Sequence, residues 1–170
     1  MTDLEHDADA LKANLRLGMR RLAAGVCVVS MQVNGQRYAM TASSVTSVSD
    51  EPASLLVCVN KNASMYSLLT MGQPFVVNVL SQSQQLVSNN CAARDIGEGR
   101  FSCGDWQEDD QGLPYLADAP VNFFCRVDND NYLYGTHQIV IGRLDKALIG
   151  SGAVSPLVYV DGGYAAIESE

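Results

Sequence analysis

The dipeptide Asn34-Gly35 stands between two strand-like runs, 26–33 (VCVVSMQV) and 36–40. Asn and Gly both tolerate positive φ, so such a pair closes a two-residue hairpin and makes its flanking strands antiparallel. Further runs rich in Val, Ile, Leu, Phe and Cys lie at 54–59, 75–80, 121–127, 138–147 and 157–160, and these side chains suit a pleated, half-buried surface. Leu11, Leu15, Met19 and Leu22 recur at helical spacing and predict a helix over 9–23, with Asp7 or Asp9 near its start and Gly25 past its end. Ser64 is placed to cap a short helix over 65–71 ended by Gly72, and Ser81 to cap another running to about 93. Residues 94–119 read as a long irregular stretch. Six or seven strands and two or three helices, without regular βαβ alternation, predict a mainly β fold with flanking helices. An antiparallel sheet closing into a barrel fits this pattern better than a doubly wound fold.

The 170 residues make one domain, read as a loose acidic tail over 1–8 and a folded unit over 9–170. With 19 acidic and 11 basic residues the net charge is −8. That field repels phosphate backbones, so no nucleic-acid partner is expected. A small anionic ligand must be held by local donors. Charged residues are only 18% of the chain and apolar ones 47%, which points to apolar surface covered by a partner chain. Five cysteines, at 27, 58, 91, 103 and 125, form no CxxC pair, so neither a disulfide framework nor a metal site reads out. The opening MTDLEHDADA is the opposite of a signal peptide, and no apolar run reaches membrane-spanning length. The expected home is a reducing cytoplasm, with no membrane association.

Three segments carry chemistry. In 41–49 (TASSVTSVS) six of nine residues bear hydroxyls. These suit either a polar ring edge or phosphate, or an edge strand bonded to itself and to water. Asn60-Lys61-Asn62-Ala63-Ser64 joins a strand end to a predicted helix start; it is either an anion-binding corner or an ordinary cap with a solvated Lys. His137 opens the strand QIVIG. By alternation it shares a face with Ile139 and Ile141. It either orients a substrate or is a structural residue. Asp128-Asn129-Asp130-Asn131 lacks the Gly and distant Glu of a calcium loop, and Gly97-Glu98-Gly99 lacks the third Gly of a dinucleotide fingerprint.

The order of seven stretches resembles one family. They are LRLGMRRLAAGVCVVS (15–30), AMTASSVTSVSDEP (39–52), VCVNKNAS (57–64), FVVNVLSQSQ (75–84), RF (100–101), YGTHQIVIG (134–142) and PLVYVDGGY (156–164). In that order the chain resembles the short-chain flavin reductases of the FMN-binding split-barrel family, the reductase components of two-component monooxygenases. The resemblance implies an antiparallel split β-barrel that transfers hydride from NADH, or NADPH, to FMN or FAD and supplies reduced flavin to a partner monooxygenase. It implies that Met40, Thr41, Ala42, Ser43 and Ser44, with Ser49, line the flavin ring and ribityl chain. It implies that Asn60, Lys61, Asn62 and Ser64 meet the flavin phosphate, that Phe101 and Tyr164 contact the cofactor, and that His137 stands beside the nicotinamide as the catalytic residue. A homodimer is implied too. The alternative within the same fold is an electron carrier or ferric reductase that keeps its flavin tightly bound. The chain departs from the family pattern at Asp161, where a basic residue is frequent, and at Pro52-Ala53, where Pro-Pro is usual.

Overall fold

Every ladder of the structure is antiparallel. The computed structural model describes residues 3–94, 96–128 and 132–167, with side chains from residue 7 onward. Residues 1 and 2 of the expected tail, and 129–131 of the Asp128–Asn131 segment, lie outside the described residues. In chain order come α1 (Asp3–Met19), β1 (Ala24–Gly25), β2 (Cys27–Val33), β3 (Gln36–Ala42), β4 (Val45–Asp50), β5 (Ala53–Asn60) and β6 (Pro74–Val79). A 3₁₀ turn (Gln82–Gln84) leads into α2 (Gln85–Ala92), and a second 3₁₀ turn spans Gly97–Phe101. Then follow β7 (Trp106–Glu108), β8 (Pro114–Leu116), β9 (Val121–Val127), β10 (Tyr132–Tyr134), β11 (His137–Ile149), β12 (Val158–Val160) and β13 (Gly163–Ala165).

The main sheet runs β3-β2-β6-β9-β11-β5-β4, with β10 paired to β11. Asn34 and Gly35 take φ of 52° and 77° and join β2 to β3, the left-handed geometry a tight hairpin requires. Side chains from strands along the whole sheet, from Ala42 and Val29 to Val140 and Val57, meet in one core, so the sheet curls on itself. Its edge strands, β3 and β4, are consecutive in the chain, and Ser43 and Ser44 cross the opening between them. This is an open split barrel. A second apolar layer covers the outer face of β2 and β3, where Val28 and Ala39 pack with Val87 and Cys91 of α2, and with Phe101. Burial on both faces explains why 26–31 reads as an unbroken apolar run rather than an alternating one.

Several expectations need correction. Helix α1 begins at Asp3, so residues 3–8 are helical rather than a tail. It ends at Met19, not 23, because the Arg20 carbonyl accepts the Asp161 N–H at 2.7 Å instead of continuing the helix. The predicted helix over 65–71 is a set of turns. Met65 and Leu69 are both fully buried against the barrel core, and plugging the barrel end overrides the helical preference of that stretch. Strand β4 and the short strands β1, β7, β8, β10 and β13 add to the expected six or seven, since two- and three-residue strands carry no readable period. Among the described residues no helix is long and apolar enough to cross a membrane.

A buried amide ties the layers together. Asn78 Nδ2 donates to the Val28 carbonyl and to Ser30 Oγ, both at 2.9 Å, while its Oδ1 accepts from the Leu116 N–H and from Asn122 Nδ2. All four of its hydrogen-bonding positions are filled, which pins the β7–β8 hairpin to the barrel wall. Substituting Asn78→Ala strands several buried partners and is expected to cost about 3 kcal/mol, read as a lowered urea midpoint with an unchanged slope.

Candidate functional site

Strand β5 ends at Asn60, and His137 opens β11 directly opposite it in the ladder. Cross-strand neighbours of this kind share one face, with Cβ atoms about 5 Å apart. Asn60 Nδ2 lies 3.5 Å from His137 Nε2, and Thr136 Oγ1 lies 2.9 Å from His137 Nδ1. The Lys61 N–H donates to the Thr136 carbonyl at 3.0 Å. Asn60 Oδ1 accepts the Asn62 N–H at 2.9 Å, an Asx turn that bends the chain toward Ser64. Gln138 and Val140 point into the barrel, while His137 is exposed on the outer face, as the alternation requires. The two corners, 60–64 and 135–137, thus form one rim of the barrel.

Arg100 reaches the same rim from the 3₁₀ turn. Its Nη1 donates to Ser64 Oγ at 3.3 Å and to the Ala39 carbonyl at 2.8 Å, and its Nη2 to the Ala93 carbonyl at 2.7 Å. Its Nε is buried without a partner among the described residues. The ion pairs found among those residues join Arg20 to Asp161, Arg37 to Glu98 and Arg126 to Asp145, so neither Arg100 nor Lys61 is neutralised by a carboxylate there. Two cations without a carboxylate partner thus stand at one corner of an acidic chain, where their local field opposes that of the whole protein. Sequence reasoning put forward Phe101 and passed over its neighbour. Nothing local signals that Arg100 folds back onto a hydroxyl 36 residues away.

The hydroxyl-rich segment divides. Ser44 Oγ donates to the Cys58 carbonyl at 3.2 Å and its own carbonyl accepts the Cys58 N–H at 3.4 Å. That holds Ser43 and Ser44 about 7 Å along β5 from Asn60. Met40 and Ala42 pack on the barrel core. Thr41 faces the other way, its hydroxyl donating to the Ser88 carbonyl of α2 at 2.6 Å, and Ser88 Oγ in turn bonds the Tyr164 hydroxyl at 2.7 Å. Ser49 pairs with Ser54, six residues and about 20 Å from Asn60, and its hydroxyl is engaged with Glu51 in a turn. The Phe101 ring is buried edge-on to Trp106 at 4.8 Å, with the Arg37 guanidinium 4.3 Å from its centre. The rim therefore gathers Ser43, Ser44, the 60–64 turn, His137 and Arg100. Ser49 lies at the far end of the strand, and Thr41 and Tyr164 meet each other through α2. At the departure noted above, Asp161 holds Arg20 in an ion pair at 3.2 Å; the basic charge there comes from the end of α1. Cavities of about 200 Å³ beside Arg126 and about 480 Å³ beside Arg20 lie elsewhere.

A flavin reductase-like domain matches residues 19–168, and the chain belongs to that family. It is 39% identical over 155 residues to the reductase component of an FADH₂-dependent resorcinol hydroxylase from Rhizobium sp., covering 90% of this chain and 86% of that one. It is 37% identical over 153 residues to an NADH-dependent FMN reductase, RutF, of Variovorax paradoxus, covering 90% and 84%. Its fold matches that of BorF, the flavin reductase component of a bacterial two-component tryptophan halogenase, with a TM-score of 0.82 at 34% identity over 94% of this chain and 99% of the other.

The cysteines stand apart from this chemistry. Burial pushes the Cys27, Cys91 and Cys125 thiols up to about 12. Unfolded thiols ionise near 9.0 while these stay protonated to about 12, so their contribution destabilises the fold as pH rises through that window. Iodoacetamide labelling followed by mass spectrometry is expected to modify Cys58 and Cys103 in the native protein, and the other three only on unfolding.

Proposed function

We propose that the protein is an NADH-dependent flavin reductase that transfers hydride from NADH to FMN or FAD and delivers the reduced flavin to a partner monooxygenase. The observation that carries this reading is the juxtaposition of an uncompensated cationic corner, Lys61 and Arg100 on Ser64, with an exposed imidazole, His137, on one open rim. The donors fit a flavin: Arg100 keeps a buried N–H without a partner beside the corner, and Ser43 and Ser44 stand one short step along the same wall. Lys61, Ser64 and Arg100 hold the phosphate, with each hydrogen bond to it worth about 2 kcal/mol. His137 orients the nicotinamide. When bound, the flavin supplies the hydride-accepting chemistry. The chain itself supplies orientation, so no nucleophile–base pair is required. Exposure of Lys61 and His137 suits a flavin that must enter and leave.

The same reading includes a homodimer. Leu11, Leu15 and Leu22 at and beyond α1, with Tyr134 and Ile149, are each more than half exposed, more apolar surface than a small chain ordinarily leaves to water. A second copy covers part of it. Sedimentation velocity is expected to give twice the chain mass, and a monomer at micromolar concentration would remove this element.

The activity is tested by assaying NADH and NADPH against riboflavin, FMN and FAD. A colourless preparation that oxidises NADH only when flavin is added supports the reading; a yellow one indifferent to NADH overturns it in favour of a bound-flavin carrier. In the same assays Lys61→Ala is expected to raise the KM for FMN about tenfold and to leave that for riboflavin, which has no phosphate, unchanged.

A further inference from the structure

The Asx turn at the rim decides which end of the Asn60 amide meets His137. Oδ1 accepts the Asn62 N–H at 2.9 Å, so Nδ2 is the atom turned toward His137 Nε2, 3.5 Å away. Flipping the amide would set its NH₂ against the Asn62 N–H, two donors face to face. An amide NH₂ only donates. Nε2 must then present its lone pair, and the ring proton sits on Nδ1. There it faces Thr136 Oγ1 at 2.9 Å, a hydroxyl with acceptor capacity. The amide selects this tautomer and the hydroxyl, able to donate or accept, accommodates it; it is the one that a free neutral imidazole in water disfavours. The backbone fixes the arrangement, because Asn60 pairs with His137 in the ladder and the Lys61 N–H is bonded to the Thr136 carbonyl.

We propose that Asn60 is a positioning residue that holds His137 as the Nδ1–H tautomer, so that Nε2 meets the incoming nicotinamide as a hydrogen-bond acceptor. The tautomer follows from this chain alone; the ligand half rests on the flavin reductase reading. At 3.5 Å the Asn60 contact is long and gives way to a closer donor. The nicotinamide ring carries one such donor, the NH₂ of its carboxamide. A site that offers only a lone pair there takes the amide and turns away the corresponding carboxylate, which has no proton to give.

Nitrogen-15 NMR of histidine-labelled full-length protein, with His6→Gln to clear the spectrum, reads the tautomer without flavin or nucleotide. At a pH well above the ordinary histidine range, the His137 Nδ1 is expected to show the protonated-type shift and Nε2 the unprotonated type. Asn60→Asp keeps the acceptor for the Asn62 N–H but turns a carboxylate toward Nε2, and is expected to move the proton to Nε2. Asn60→Ser keeps a turn acceptor without the amide donor, and is expected to give a mixture of tautomers. An Nε2–H signal in the unsubstituted ring, or a pattern that neither substitution changes, overturns the proposal whether or not the protein reduces flavin. The KM for NADH is expected to rise about tenfold in Asn60→Asp, as for loss of one hydrogen bond. A tautomer that switches with no change in that KM overturns the acceptor role and leaves the reductase activity standing. Absence of NADH turnover in the unsubstituted protein overturns the reductase reading and, with it, the ligand half, while the NMR result still decides the tautomer.

Discussion

Strand β11 is the element on which the barrel depends. Its first half pairs with β5 and its second with β9, and Gly142 faces both Leu55 and Val127. A bulge between Leu144 and Lys146 bends it, which adds the local twist that lets one sheet curl around its own core. Gly142 is required there: a Cβ would stand 2.5 Å from the Phe75 ring. The same ladder places His137 opposite Asn60. A slip of one residue would turn every side chain of β11 to the other face and carry the imidazole into the core, so the register that builds the barrel also builds the rim.

The second apolar layer has a functional consequence. It leaves the outer face of β2 and β3 occupied by α2 and by the turn that contains Arg100, and so carries that guanidinium to Ser64. Thr41 and Tyr164 are spent on fastening α2. On the flavin reductase reading proposed above, what remains for the flavin is the seam where β3 passes into β4, the turn after β5 and the start of β11. Hydroxyl count alone overstates the donors available, because half of a strand's side chains face each way and some are already engaged.

Much of the fold was legible locally. The Asn34-Gly35 turn, the strands 121–127 and 138–147, and the face shared by His137 are all consequences of positive φ tolerance and a period of two, which act between near neighbours. Family resemblance brought the 60–64 corner and His137 forward together. Less legible were β4, which the hydroxyl-rich stretch offered only as one of two readings, and the 65–71 segment, whose Met65 and Leu69 follow the needs of the barrel end rather than a helical stripe. The reach of α1 to Asp3 was missed because an acidic, polar stretch reads equally as tail or helix.

By itself the sequence determined that the chain is antiparallel and mainly β, and that its strands alternate so that His137 shares a face with Ile139 and Ile141. These follow from side-chain chemistry repeated at a fixed short spacing. Only the tertiary structure decided that Arg100 meets Ser64, that Ser49 lies a strand's length from Asn60, and that the Asn60 amide presents its donor to the imidazole. Each of those depends on the register between segments distant in the chain. Register is set by the packing of the whole barrel, which no local pattern encodes.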